Sequence, residues 1–415
     1  MAADSSYGSD SGRERPKKGP LVGIPLLEDL PPLEGARVLL RVDFNVPLGP
    51  PDEHGRPTVE DDFRIRAATP TISWLLAHGA HVTASTHLGR PKGMADPAYS
   101  VEPLRAILSK LAPEVELEEN LRFDPGETAN DPEFVDRLVK GFDVYVNDAF
   151  GASHRAHASV MGPPSRLPSA AGRLLEREVA VLGYLLNDPA KPFVALVGGA
   201  KVSDKLGVLR SLLDRVDALV VGGAMAFTFL HALGHKTGSS LVDMTKVGEC
   251  KEILRRAGDR MILPVDVVAL SPGGDIGCGS AGAGEVKLFG QDVPLGWKGL
   301  DIGPKSAEIF AAAVKEAKTV LWNGPMGAFE DPRFKSGTTA VAEAVAASSG
   351  KTVVGGGDSV AALDELGLTS KVSFVSTGGG ATLELLEYGD LPGLQALRSA
   401  PNAPKAPAAT DAPRS

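Results

Sequence analysis

Phe193-Val194-Ala195-Leu196-Val197-Gly198-Gly199-Ala200-Lys201-Val202-Ser203-Asp204-Lys205 reads as a buried-type strand, a Gly-Gly turn and two lysines four apart at the opening of a helix. Glycines let the backbone approach an anion closely, a helix N-terminus offers unpaired N–H groups, and lysines at i and i+4 share one helix face. The stretch is a phosphate site in outline. Taken alone, it is equally a βα turn whose lysines are solvated.

Outward from this stretch, short β-branched runs alternate with helical patterns. The candidate strands are Arg37 to Asp43, His81 to Thr86, Asp143 to Asn147, Phe193 to Val197, Ala218 to Val221, Val265 to Leu270, Thr319 to Trp322 and Thr352 to Val354. Such alternation predicts an α/β fold of doubly wound parallel sheets with helices on both faces. Ligands of these sheets bind beyond the carboxyl ends of the strands, so the residues just after each run carry the chemistry.

In the first half those positions are polar and cationic: Asp43-Phe44-Asn45, His87-Leu88-Gly89-Arg90, Asn147-Asp148, and Ser153-His154-Arg155-Ala156-His157. Arg64 opens a helix read over Asp61 to Gly79, and Arg122 lies in Glu119-Asn120-Leu121-Arg122-Phe123. Guanidinium forks match carboxylate and phosphate geometry, so their common placement suggests a small, highly anionic substrate. In the second half the strand ends are glycine-rich: Gly198-Gly199, Gly222-Gly223 and Gly355-Gly356-Gly357 before Asp358-Ser359. Glycines there clear space for a base and ribose, and Asp358 at a helix start is placed to hold Mg2+ or to cap the helix. The turn Trp322-Asn323-Gly324-Pro325-Met326-Gly327-Ala328-Phe329-Glu330 suits nucleotide contact. An anionic-substrate half joined to a nucleotide half implies phosphoryl transfer across the gap. The GxxxxGK[ST] loop is absent, and so are the HRD and DFG elements of protein kinases.

The chain of 415 residues carries a formal net charge of -9, which argues against nucleic acid or an anionic membrane as the main partner. Cys250 and Cys278 give no disulfide framework and suit a reducing cytoplasm. No apolar run reaches membrane-spanning length. Met1 to Pro20 lacks the apolar core of a signal peptide and reads as a disordered leader, and Ser399 to Ser415, rich in Ala and Pro, reads as a solvated tail.

Ten ordered segments together resemble the phosphoglycerate kinase family. They are Arg41 to Pro47, Thr86 to Pro91, Glu119 to Phe123, Val146 to Gly151, His154 to His157, Gly198 to Lys205, Gly299 to Pro304, Leu321 to Glu330, Gly355 to Asp358 and Ser376 to Ala381, within Leu26 to Leu397. The resemblance implies two Rossmann-like domains joined by a helix over Gly172 to Leu186. The first (21–171) would bind 3-phosphoglycerate and the second (188–375) ADP or ATP. The helix would occupy 172–187, a return segment (376–398) would pack on the first domain, and leader (1–20) and tail (399–415) would flank them. It further implies Asp43, Asn45, Arg64, His87, Arg90, Arg122 and Arg155 as substrate contacts. Nucleotide contacts would be Lys201, Lys205, Gly222, Gly223, Asn323, Glu330, Gly355, Gly356, Gly357, Asp358 and Ser359, with Asp358 as Mg2+ ligand. Arg64, Lys201 and Gly379 would surround the phosphoryl group in flight, in a cytoplasmic monomer.

The implied reaction is in-line transfer between ATP and the carboxylate of 3-phosphoglycerate. That carboxylate, with a reference pKa of about 4, is ionised at neutral pH, so no general base is required. Ligands on separate domains meet only if the lobes close, which predicts hinge bending about the Gly172 to Leu186 helix and Ser376 to Gly380. Lys201→Ala should lower kcat more than it weakens nucleotide binding, and equal losses in steady-state kinetics would make Lys201 a mere anchor. Three departures from the family pattern stand out: the proline-rich Leu48 to Asp61, Ala224 in place of a glycine, and Ser359 in place of a threonine. None removes a catalytic group. A dehydrogenase should show GxGxxG after an early strand, which is missing. A non-catalytic nucleotide-binding protein that keeps the fold would be expected to have lost charged site residues, and these are all present.

Overall fold

The computed structural model describes residues 19–51, 57–277, 279 and 282–404. Most of the leader, the middle of the Leu48 to Asp61 segment, Cys278 and the tail beyond Pro404 lie outside the described residues. The described parts of that segment pair as a short antiparallel hairpin, Leu48–Pro51 with Pro57–Val59.

Two parallel sheets dominate. The first orders its strands Glu116–Leu117, His81–Ser85, Arg37–Arg41, Val144–Asn147 and Ser169–Ala171. The second orders them Met261–Ile262, Ala218–Val221, Phe193–Val197, Thr319–Asn323, Lys351–Gly355 and Phe374–Val375. In each, the chain starts in the middle, winds outward to one edge, then returns to the middle and winds to the other. The winding reverses between Arg37–Arg41 and Val144–Asn147 in one sheet and between Phe193–Val197 and Thr319–Asn323 in the other. Crevices open at such reversals, and this fold therefore has two of them. The central strand Phe193–Val197 is buried at every residue, as a strand covered by helices on both faces must be.

The run Val265 to Leu270 departs from expectation. Asp266–Leu270 is the middle strand of a separate antiparallel sheet with Val286–Gly290 and Lys298–Ile302. Only Leu263 to Val265 separates it from Met261–Ile262, too short for the crossover that a parallel neighbour needs. Pro264 in that link has no N–H to continue a ladder. The helix read over Asp61 to Gly79 is also split, into Phe63–Ala67 and Thr69–Ala77, with Pro70 in the first turn of the second.

The connecting helix runs Arg173–Asn187 and buries Leu175, Val179, Leu182 and Leu185 on one stripe. Its start is held from the first sheet, because the Asp148 carboxylate accepts from Leu174 N at 2.9 Å and Leu175 N at 3.2 Å. A Cβ on Gly172 would lie 2.3 Å from that carboxylate, so only glycine fits there. One apolar cluster joins Leu39 and Tyr145 of the first sheet, Val179 and Leu182 of the helix, Phe193 and Leu321 of the second sheet, and Leu385 and Leu394 near the C-terminus.

The return is made in two steps. Helix Gly380–Tyr388 lies beside Leu206–Leu213 of the second half, where Ser211 Oγ donates to Leu386 O at 2.6 Å. Helix Pro392–Arg398 then reaches the first half, with Gly393 N donating to Ser153 O at 2.9 Å. Residues 399–404, expected in the tail, are packed: Asn402 Oδ1 accepts from Ser169 N at 2.8 Å, and its Nδ2 donates to Ser169 O at 3.0 Å. Pro20, expected in the leader, packs beside Gly183 of the connecting helix.

Burial raises the carboxyl groups of Asp148 to about 6 and of Glu178 and Asp301 to about 7. Asp301 accepts from Gly337 N at 2.8 Å and Ile302 N at 2.9 Å, and those bonds only partly offset the burial. A carboxyl group whose folded pKa lies above its unfolded value contributes stability below the unfolded pKa and loses it as pH rises through the folded one. Asp301→Asn cannot ionise. Its deficit in Tm relative to the native chain should therefore shrink as pH rises from about 5 to 8. Parallel Tm curves across that range would contradict the assignment.

Candidate active site

At the carboxyl ends of the first sheet, backbone and side chains build a cationic rim. Asp43 Oδ2 accepts from Arg64 Nη1 at 2.6 Å, joining the end of the central strand to the helix Phe63–Ala67. Asn45 Oδ1 accepts from Gly89 N at 2.8 Å, and Arg122 Nη1 donates to Gly89 O at 2.7 Å. Gly89 sits at φ +59°, with the Tyr99 ring where a Cβ would project, so this crossing of three loops needs glycine. Arg155 Nε donates to His154 Nε2 at 3.2 Å, and Arg90 is exposed.

The rim is poorly satisfied without an anion. Arg122 is buried, yet its Nε and Nη2 have no hydrogen-bond partner. Unmade donors on a buried guanidinium are costly, and two of them on one side chain are available to an anion. Burial first, then the neighbouring Arg155 and Arg41, pulls Arg122 down to about 10. His87 is held well below the usual histidine range by burial and by Arg41, Arg122, Arg155 and His157, and is neutral at pH 7.

The glycine loops of the second sheet are laced to one another. Gly198 N donates to Asn323 O at 3.0 Å, Gly199 N to Pro325 O at 2.9 Å, and Gly223 N to Met326 O at 3.0 Å. A Cβ on Gly198 would meet Pro325 O at 2.1 Å, one on Gly222 would meet Met326 Sδ at 2.3 Å, and one on Gly223 would meet Gly199 N at 2.5 Å. These glycines were expected to clear space for a nucleotide; in the structure they let three loops touch. Gly357 and Gly379 are the ones that face open space, and Gly355 and Gly356 lie beside Asn323.

The lysines differ from expectation. The helix begins at Leu206, so Lys201 and Lys205 both precede it and share no helix face. Lys205 Nζ donates to Gly198 O at 2.6 Å, Asn323 O at 3.0 Å and Asn323 Oδ1 at 2.9 Å, which uses all three donors to tie two loops together. Burial lowers it to about 8, against the opposing pull of Asp358 and Asp204. Lys201, by contrast, is exposed. Asn323 Nδ2 is buried and unpartnered, a donor left for a ligand. Ser359 Oγ accepts from Gly324 N at 2.5 Å, whereas Asp358, in the first turn of Gly357–Glu365, and Glu330 are exposed.

Between the rims runs Ser376 to Gly380. Glu178 of the connecting helix accepts from Ser376 Oγ at 2.8 Å, Thr377 N at 2.6 Å and Thr377 Oγ1 at 2.8 Å. Gly378 lies against the Phe150 ring and Gly380 near His154 Nε2, so this loop reaches the cationic rim. Several contributors were not singled out from the sequence: Arg41, Glu127, Glu178 and Ser159. A charge between the apolar residues Val38 to Leu40 and Val42 was the available signal for Arg41.

Comparison with known proteins gives one answer. The family model described as phosphoglycerate kinase matches residues 27–118 and 112–389. A phosphoglycerate kinase of Rubrobacter xylanophilus is 50% identical over 388 residues, 88% of this chain and 96% of that protein. One of Frankia casuarinae is 50% identical over 397 residues, 88% of this chain and 97% of that protein. Among solved structures, phosphoglycerate kinase from Coxiella burnetii superposes with a TM-score of 0.79 at 37% identity, covering 90% of this chain and 98% of that one. The enzyme from Pyrococcus horikoshii gives 0.77 at 29% identity, covering 91% and 99%.

Proposed function

The chain belongs to the phosphoglycerate kinase family and catalyses reversible phosphoryl transfer between 1,3-bisphosphoglycerate and ADP, giving 3-phosphoglycerate and ATP; from this premise we propose how its residues divide the work. The cationic rim (domain 21–171) holds 3-phosphoglycerate through Asp43, Asn45, Arg64, His87, Arg90, Arg122 and Arg155. The glycine loops (domain 188–375) hold the nucleotide through Lys201, Asn323, Glu330, Gly355 to Gly357, Asp358 and Ser359, with Lys205, Gly222 and Gly223 shaping the loops. The helix 172–187 and the segment 376–398 join the lobes. The observation that carries this division is the pair of unmade donors on buried Arg122, in the loop that follows the edge strand Glu116–Leu117 at the carboxyl ends of the first sheet.

In the ATP-consuming direction, one carboxylate oxygen of 3-phosphoglycerate bonds to the γ-phosphorus as the bond from that phosphorus to the β–γ bridging oxygen breaks. ADP leaves with the electron pair and no proton moves. Arg64, Lys201 and the Gly379 amide neutralise the group in flight, donors aimed where charge develops. Membership of the family implies dependence on Mg-ATP. An exposed carboxylate in the first turn of Gly357–Glu365 suits an ion that keeps phosphate oxygens and water as its other ligands. Asp358 would be that carboxylate, and the ion when bound supplies charge neutralisation on the nucleotide phosphates.

No helix among the described residues is long and apolar enough to cross a membrane. The absence of nucleic-acid or anionic-membrane partners agrees with the acidic net charge, and we infer a cytoplasmic monomer from membership of the family. The direct test is ADP release from ATP and Mg2+ in a coupled assay. Turnover should require 3-phosphoglycerate, and turnover without it would refute the substrate assignment.

A further inference from the structure

Behind the cationic rim lies a buried chain of polar groups that no step of the transfer uses. Glu127, Ser159 and Arg41 are all fully buried. Ser159 N and Oγ donate to the two carboxylate oxygens of Glu127 at 2.9 and 2.8 Å. Arg41 Nε donates to Ser159 Oγ at 2.9 Å, and Arg41 Nη1 donates to Val42 O. Tyr145 OH donates to Ser159 O at 2.7 Å and fixes the same turn. The chain ends at His87, where Arg41 Nη2 lies 3.1 Å from Nδ1.

A guanidinium has five N–H donors and no acceptor. The contact to His87 is thus a hydrogen bond only when Nδ1 accepts, and a neutral imidazole with an accepting Nδ1 carries its proton on Nε2. We propose that Glu127, Ser159 and Arg41 form a positioning device that fixes His87 as the Nε2–H tautomer, so that the ring offers a donor to an anionic oxygen of the substrate. The proposal rests on the reading of this rim as the 3-phosphoglycerate site.

Glu127 has the role of counter-charge. A buried arginine with no carboxylate near it would be expensive, and here the attraction passes through Ser159 without using the Arg41 nitrogen that meets His87. The other tautomer would set an N–H of His87 against an N–H of Arg41 and turn a lone pair toward the anion. Burial and the four surrounding cationic or imidazole groups keep the ring neutral, so the choice between tautomers is the one that matters.

The native chain can be read directly. It has eight histidines, and the ring nitrogens of His87 are assigned in protein labelled with [15N]histidine by the signal lost in His87→Gln. Without substrate, Nε2 should carry the proton between about pH 6 and 8; a proton on Nδ1, or an imidazolium, would overturn the proposal. Glu127→Gln should mix the two tautomers and raise KM for 3-phosphoglycerate about tenfold, the scale of one hydrogen bond, while KM for ADP changes less than about twofold. An unchanged tautomer and KM in that variant would overturn the positioning role. If it does not fold, Ser159→Ala breaks the same link and is read in the same way. His87→Gln, whose amide reaches the Nε2 position, should bind 3-phosphoglycerate more tightly than His87→Asn, and the reverse order would contradict the tautomer. The tautomer is read without substrate, so its failure is separate from failure of the substrate assignment in the coupled assay.

Discussion

Arg64→Ala should lower kcat about a thousandfold while KM for ADP stays within about a factor of two. Arg64 gives one donor to Asp43 at 2.6 Å, and its side chain remains 30% exposed at the rim, so its other donors are available to the moving phosphoryl group. Removing it has two consequences. The group in flight loses a guanidinium, and Asp43 loses its ion-pair partner beside an anionic substrate while keeping the bond from Asn45 N and the neighbouring Arg122. Arg64→Lys should recover only part of the rate, because an ammonium cannot bond Asp43 and a phosphoryl oxygen in a fork. Stability should change by no more than about 1 kcal/mol, since the ion pair is partly exposed. Steady-state kinetics decides the matter: a kcat within about tenfold of the native value would remove Arg64 from the reaction centre.

Arg122→Met separates binding from stability. The buried guanidinium makes a single bond, to Gly89 O, and leaves Nε and Nη2 unpaired, so the protein bears the cost of desolvating it whenever no anion is bound. An apolar side chain of similar length removes that cost, and the melting temperature without ligands should stay the same or rise. The same change removes charge-assisted bonds to the substrate and should weaken 3-phosphoglycerate binding about a hundredfold. Calorimetric titration and thermal melting report the two effects separately. A large loss of stability together with normal affinity would show that Arg122 serves the fold instead of the substrate.

Much of this was legible in the sequence because strands covered on both faces read as apolar runs, and seven of the eight candidate runs fall on strands of the two parallel sheets. The eighth, Val265 to Leu270, is a strand too, but apolarity does not say what a strand pairs with. The short link through Pro264 decided that. Its partner Val286–Gly290 is exposed along most of its length and has no apolar run to announce it. In the site, motif residues were easier to find than the groups that hold them. Glu127 and Glu178 act through partners 32 to 199 positions away, a distance that spacing cannot express. Lys205 is the instructive error. Its spacing from Lys201 suggested one helical face, but the helix starts one residue later and the ammonium turns inward to three oxygens.

The central claim is that substrate and nucleotide sit at two separate sheet switch points and are brought together by closure of the lobes. The connecting helix reaches both, and Glu178 ties it to the Ser376 to Gly380 loop that touches the cationic rim. Small-angle scattering with 3-phosphoglycerate and Mg-ADP together tests this most directly, because that pair fills both sites without reacting. The radius of gyration should be smaller than with either ligand alone. An unchanged radius with both bound would contradict the account.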